Sequence, residues 1–90
     1  MMRIHVAVRG RVQGVGFRWF ARESARGLRL AGWVSNRPDG SVEVAAEGAE
    51  QAISQFRAAL RDGPPGASVS AVDDLPAAAG DLPRPFTVVR

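Results

Sequence analysis

Cysteine is absent from the 90 residues, so the chain has neither a disulfide framework nor a thiol nucleophile. Histidine occurs once, as His5, which excludes a zinc cluster built on His and Cys. Lysine is absent as well: all 12 basic residues are Arg, set against 9 acidic residues for a net charge of +3. Arg favours planar, two-pronged contact with carboxylates and phosphates, and a mild positive field attracts small anions. No apolar run approaches the length of a membrane-spanning helix. Charges at Arg3, Arg9 and Arg11 break the N-terminal stretch too early for a secretory signal, so a cytoplasmic protein is expected. What remains is the balance of an ordinary folded domain, 46% hydrophobic and 23% charged, with enough chain for one core and not for two. Residues 1–90 are expected to form a single domain.

Patterning supplies the elements. Residues 3–10 alternate, Ile4, Val6 and Val8 against His5, Ala7 and Arg9, which is the signature of a half-buried strand. Gly10 to Gly16 is a glycine-punctuated loop. A helix is predicted over 17–28, with Phe17, Phe20, Ala21, Ser24, Ala25 and Leu28 on one face and Arg22, Glu23 and Arg26 on a solvated one. Residues 30–36 and 41–47 read as two strands joined by the turn Arg37-Pro38-Asp39-Gly40. A second helix over 49–62 carries Ala52, Ile53, Phe56, Ala59 and Leu60 on its apolar stripe and is stopped by Gly63-Pro64-Pro65-Gly66. A fourth strand at 68–73, an irregular connection at 74–83 and a short last strand at 86–89 complete the chain. The order β-α-β-β-α-β plus a terminal strand is the ferredoxin-like split β-α-β arrangement, an α+β fold with two helices on one face of an antiparallel sheet. The place of the last strand in that sheet stays open.

This topology predicts a site. A right-handed first crossover makes strands one and two parallel, with strand three between them. The loop 10–16 and Asn36 then leave the same end of the sheet, two strand spacings or about 10 Å apart. Gly10, Gly14 and Gly16 let backbone N–H groups turn inward as an anion nest, and the following helix start adds unpaired N–H groups and a positive dipole end. No Ser, Thr, Asp or Asn in 10–17 is present to cap that helix. Arg18 places a cation in the first turn, against the dipole, as though an anion were expected there. Any one of these features is common; their convergence on one sheet end is not.

At these residues the sequence resembles the acylphosphatase family. Gly10-Arg11-Val12-Gln13-Gly14-Val15-Gly16-Phe17-Arg18 is similar to that family's first signature, and Gly32-Trp33-Val34-Ser35-Asn36-Arg37-Pro38-Asp39-Gly40-Ser41-Val42-Glu43-Val44 to its second. The stretch Gly63–Ala67 and the ending Phe86–Arg90 also look like the family, while 74–83 departs from it. The resemblance implies an enzyme that hydrolyses the carboxyl–phosphate anhydride of small acyl phosphates, with no metal and no cofactor. It implies Arg18 as the phosphate-binding Arg, Asn36 as the residue that orients the attacking water, and the backbone of Gln13, Gly14, Val15, Gly16 and Phe17 as the phosphate cradle. Inorganic phosphate is the implied product and inhibitor. No nucleic acid or membrane partner and a monomeric state are expected. Acetyl phosphate, carbamoyl phosphate and 1,3-bisphosphoglycerate all carry the required group.

The chemistry suits these residues. A carboxylate leaves at neutral pH without protonation, so a chain without a His, Cys or paired-carboxylate constellation near the signatures is adequate; positioning and charge stabilisation are what remain to be supplied. His5, on a strand and without a nucleophile, is expected to be structural, and Trp33 to pack in the hairpin. Ferredoxin-like sheets also bind single-stranded RNA through aromatics on their central strands, but 3–10 and 41–47 contain no Phe, Tyr or Trp. A sensor that binds acyl phosphates without turnover is a second rival, weakened by the intact Arg18 and Asn36.

Overall fold

The structure of the chain is a computed structural model that describes residues 1–89. The alternation around Val6 makes Met2–Arg11 a strand, β1. It is followed by α1 (Phe17–Gly27), β2 (Ala31–Asn36), β3 (Val42–Gly48), α2 (Glu50–Asp62), β4 (Ser68–Asp74) and β5 (Thr87–Val88). Helix α1 buries Phe17, Ala21 and Ala25, spaced four apart, and ends where Arg29 takes a positive φ of 59°. Helix α2 buries Ile53, Phe56 and Leu60. The Gly63 N–H donates to Ala59 O at 2.9 Å, closing its last turn before two prolines forbid continuation.

The strands form one sheet in the order β4-β1-β3-β2-β5. β3 runs antiparallel to both β1 and β2, so β1 and β2 are parallel across it, as the split β-α-β reading requires. Val6, Val44 and Val34 pair in one row across these strands, and Val8, Val42 and Asn36 in the next row towards the loop. The sheet departs from the antiparallel expectation at its edge, where β5 lies parallel to β2. The connection explains this. After β4, Leu75 N–H donates to His5 O, and Arg3 holds Ala78 O and Gly80 O at 2.9 and 2.7 Å. Gly32 N–H then donates to Pro83 O at 2.8 Å. The segment thus passes the start of β1 and of β2, and the chain enters the outer edge of β2 running in the same direction. Phe86, just before β5, is fully buried and meets the Phe56 ring edge-on at 5.7 Å. Burying a Phe in this way contributes about 1.5–3 kcal/mol. Arg90, the last residue of the family-like ending, lies outside the described residues.

The core lies between the helices and one face of the sheet, where Ile4, Val6, Val8, Val34, Val42 and Val44 meet Phe17, Ile53, Phe56 and Leu60. On the other face His5 is structural: Nε2 pairs with Glu43 Oε2 at 2.6 Å, Nδ1 contacts Pro76 O at 2.6 Å, and the Trp33 ring sits edge-on at 5.8 Å. Arg3 adds a two-pronged contact from Nε and Nη2 to Glu47 Oε1 at 2.8 and 2.6 Å.

Candidate active site

β1 and β2 end at one end of the sheet, and the loop after β1 turns there into α1. Gly14 and Gly16 both lie in the left-handed region, at φ 77° and 78°. A side chain is strained there, so glycine is what allows the loop to reverse this sharply. Gly16 stands at the N-cap, where its C=O accepts the first helical bond from Phe20 N–H at 3.0 Å. It offers no side-chain cap, and the first turn holds no acidic residue. The leading N–H groups therefore lack the partner that Ser, Thr, Asp or Asn usually gives.

Gly14, Gly16, Phe17 and Arg18 line a pocket of about 330 Å³ together with Asn36 from the end of β2. Val12, Trp19 and Val88 complete the wall. Gln13 and Val15 flank the lining residues: Val15 packs against the core, and the Gln13 side chain points to the neighbouring turn. Two polar groups in this wall lack partners among the described residues. Arg18 makes no hydrogen bond or ion pair with any described residue. Asn36 Oδ1 is buried and accepts no hydrogen bond from any described residue. An unpaired buried acceptor costs about 1–3 kcal/mol, so its retention calls for an occupant that donates to it.

The turn that follows Asn36 is held firmly. Arg37 N–H donates to Ser41 O at 2.9 Å and Gly40 N–H to Arg37 O at 3.1 Å. Gln13 Nε2 reaches across from the loop and donates to Arg37 O at 2.8 Å and Ser41 O at 2.9 Å. The side chain of Gln13 thus ties the loop to the turn beside Asn36. Asp39 Oδ1 accepts from Ser41 Oγ at 2.6 Å and from Ser41 N–H at 2.9 Å, while Arg9 bridges Asp39 and Asp73 at 3.3 and 2.7 Å. The Ser41 hydroxyl first, then its N–H, and to a smaller extent Arg9 and Arg37, hold the Asp39 carboxyl down at about 2. A lowered folded-state value stabilises the fold above the ordinary 3.8, and that contribution is lost as pH falls towards about 2. Asp39→Asn should therefore be less stable than the parent at neutral pH, with the gap in Tm closing through this acid window; thermal melts of both proteins across it provide the check.

The sequence did not mark Trp19 or Val88 as part of this wall. Trp19 is 61% exposed, and Arg22 lies over its ring with the guanidinium carbon 4.7 Å from the centroid. Such a contact at an exposed site is worth about 0.5–1 kcal/mol. Arg22 and Arg26 were expected to be merely solvated; Arg22 instead covers this indole, and Arg26 Nε donates to Phe86 O at 2.8 Å. The signal for Trp19 was an apolar residue on the outer side of an otherwise polar helix face. Val88 reaches the pocket because β5 runs parallel to β2 and so heads for the same sheet end. Among the described residues, no three His, Cys, Asp or Glu side chains gather as metal ligands would.

An uncapped helix start beside a guanidinium that no described residue engages suits an anion, and a buried carboxamide oxygen suits a water, so fold and pocket together define a ferredoxin-like domain with an anion-compatible pocket. Known proteins sharpen this. The family model described as acylphosphatase matches residues 4–81. The chain is 49% identical to the acylphosphatase of Bacillus velezensis over 72 residues, covering 80% of each chain. It is 47% identical to that of Rhizobium etli over 85 residues, covering 94% of this chain and 90% of the relative. The crystal structure of acylphosphatase from Bacillus subtilis matches the whole of both chains with a TM-score of 0.91 at 41% identity. The chain belongs to the acylphosphatase family, enzymes that hydrolyse acyl phosphates to a carboxylate and inorganic phosphate.

Proposed function

We propose that Arg18 and the backbone N–H groups of Gln13–Phe17 hold the phosphoryl oxygens of a small acyl phosphate while Asn36 Oδ1 accepts a hydrogen bond from the attacking water. The water oxygen bonds to phosphorus in line with the leaving group. The bond between phosphorus and the acyl oxygen breaks, both its electrons depart with the carboxylate, and a phosphoryl oxygen of the substrate takes the proton from the water. The leaving carboxylate needs no proton, which agrees with a pocket wall in which no described residue is a general acid. The protein's part is to fix geometry and to meet negative charge with donors already in place. The observation that carries this reading is the meeting, in one pocket, of a guanidinium and a buried carboxamide oxygen that no described residue engages. All its residues come from one chain, so a monomer suffices. A cytoplasmic location is part of the same proposal; among the described residues no helix is long and apolar enough to cross a membrane.

The test is steady-state hydrolysis of acetyl and benzoyl phosphate with and without EDTA. Turnover of both is expected, unchanged by the chelator, with inorganic phosphate raising KM and leaving kcat alone. Phosphate that lowers kcat without raising KM would place its binding outside the pocket and contradict the reading.

A further inference from the structure

We infer that Trp19 and Val88 form an acyl-binding wall that selects acyl phosphates with an apolar, preferably aromatic, acyl group. The inference rests on the proposed placement of the phosphoryl group in the same pocket. Arg18 and Asn36 account for the phosphate and the water, but the pocket is about 330 Å³, the size of a small-ligand site rather than of one phosphoryl group. The rest of the substrate must therefore lie against the remaining wall.

That wall is apolar and accessible. Trp19 is 61% exposed and Val88 37% exposed, and both line the pocket. Apolar side chains that share one pocket wall and are rimmed by polar groups are the kind of surface a ligand covers. The indole is also held in place. Arg22 sits over its ring at 4.7 Å while Arg22 Nη1 contacts Glu23 Oε2 at 3.2 Å, so the charge beside the ring is already engaged. Trp19 follows Arg18 directly in the first turn of α1, which fixes the apolar surface next to the phosphate-binding cation. Among the described residues Arg18 is the one charged side chain that lines the pocket, and a carbamoyl group would set its amide against the apolar surface of Trp19 and Val88. An aryl or branched alkyl group instead covers the indole and the valine and removes both from water.

The test compares kcat/KM for benzoyl and acetyl phosphate in the wild type, Trp19→Ala and Trp19→Phe. The benzoyl-to-acetyl ratio is expected to fall roughly tenfold in Trp19→Ala and to recover to within about twofold of wild type in Trp19→Phe. Val88→Ser should lower the same ratio by a smaller factor. A ratio unchanged in Trp19→Ala, with wild-type turnover intact, overturns the acyl wall and leaves the phosphate site standing. A wild type that hydrolyses neither compound overturns the phosphate site and the acyl wall together.

Discussion

Arg18→Ala is expected to lower kcat/KM for acyl phosphate hydrolysis by at least about 100- to 1,000-fold, the usual cost of removing one donor that meets transition-state charge. The loss should appear in both KM and kcat, because in the proposed mechanism the guanidinium meets the phosphoryl oxygens in the ground state and in the transition state alike. Arg18 makes no bond to another described residue and is only partly buried, so its removal should leave the melting temperature nearly unchanged. Its position even favours that outcome, since a cation in the first turn opposes the helix dipole. Arg18→Lys keeps the charge but not the planar fork, and should restore only part of the activity. Steady-state kinetics paired with thermal melts separates these effects. A large drop in Tm with a small drop in activity would make Arg18 a structural residue.

The second large effect falls on kcat alone. Asn36→Ala should reduce kcat on the order of a hundredfold with KM little changed, because aiming the water matters to the reaction and not to binding. Stability should move the other way. The Asn36 oxygen is buried with no partner among the described residues, and deleting it removes a desolvated group from the folded state. The variant is therefore expected to melt at or above the wild-type temperature. A polar group kept for the proposed chemistry at the expense of the fold would lead to this outcome, a variant that is more stable and slower. A change confined to KM would refute the assignment of Asn36 to the water.

Much of this arrangement was legible in the chain. Period-two alternation at Ile4, Val6 and Val8 and the helical spacing of Phe17, Ala21 and Ala25 gave the strand and helix that flank the loop, because each element buries one face. The handedness of the crossover then set Asn36 at the same sheet end as the loop, and the row joining Val8, Val42 and Asn36 realises that placement. The direction of β5 could not be read in the same way. Two paired residues carry too little periodicity, and the backbone bonds of the 75–83 connection decide its course. Trp19 escaped notice for a related reason. Its neighbours three and four residues along α1 are Arg22 and Glu23, so helical spacing offered it no apolar partners; only the arrival of Val88 across the pocket gives it a role. The Gln13 side chain was equally hidden, since its two acceptors lie 24 and 28 residues away in sequence.

In the proposed mechanism the pocket holds the phosphoryl group and delivers water to phosphorus rather than to the carbonyl carbon. Hydrolysis of benzoyl phosphate in ¹⁸O-enriched water, with both products analysed by mass spectrometry, tests it directly. The mechanism places the solvent oxygen in inorganic phosphate and leaves benzoate unlabelled. Label in benzoate would mean attack at carbon, and would contradict the roles given to Asn36 and to the loop.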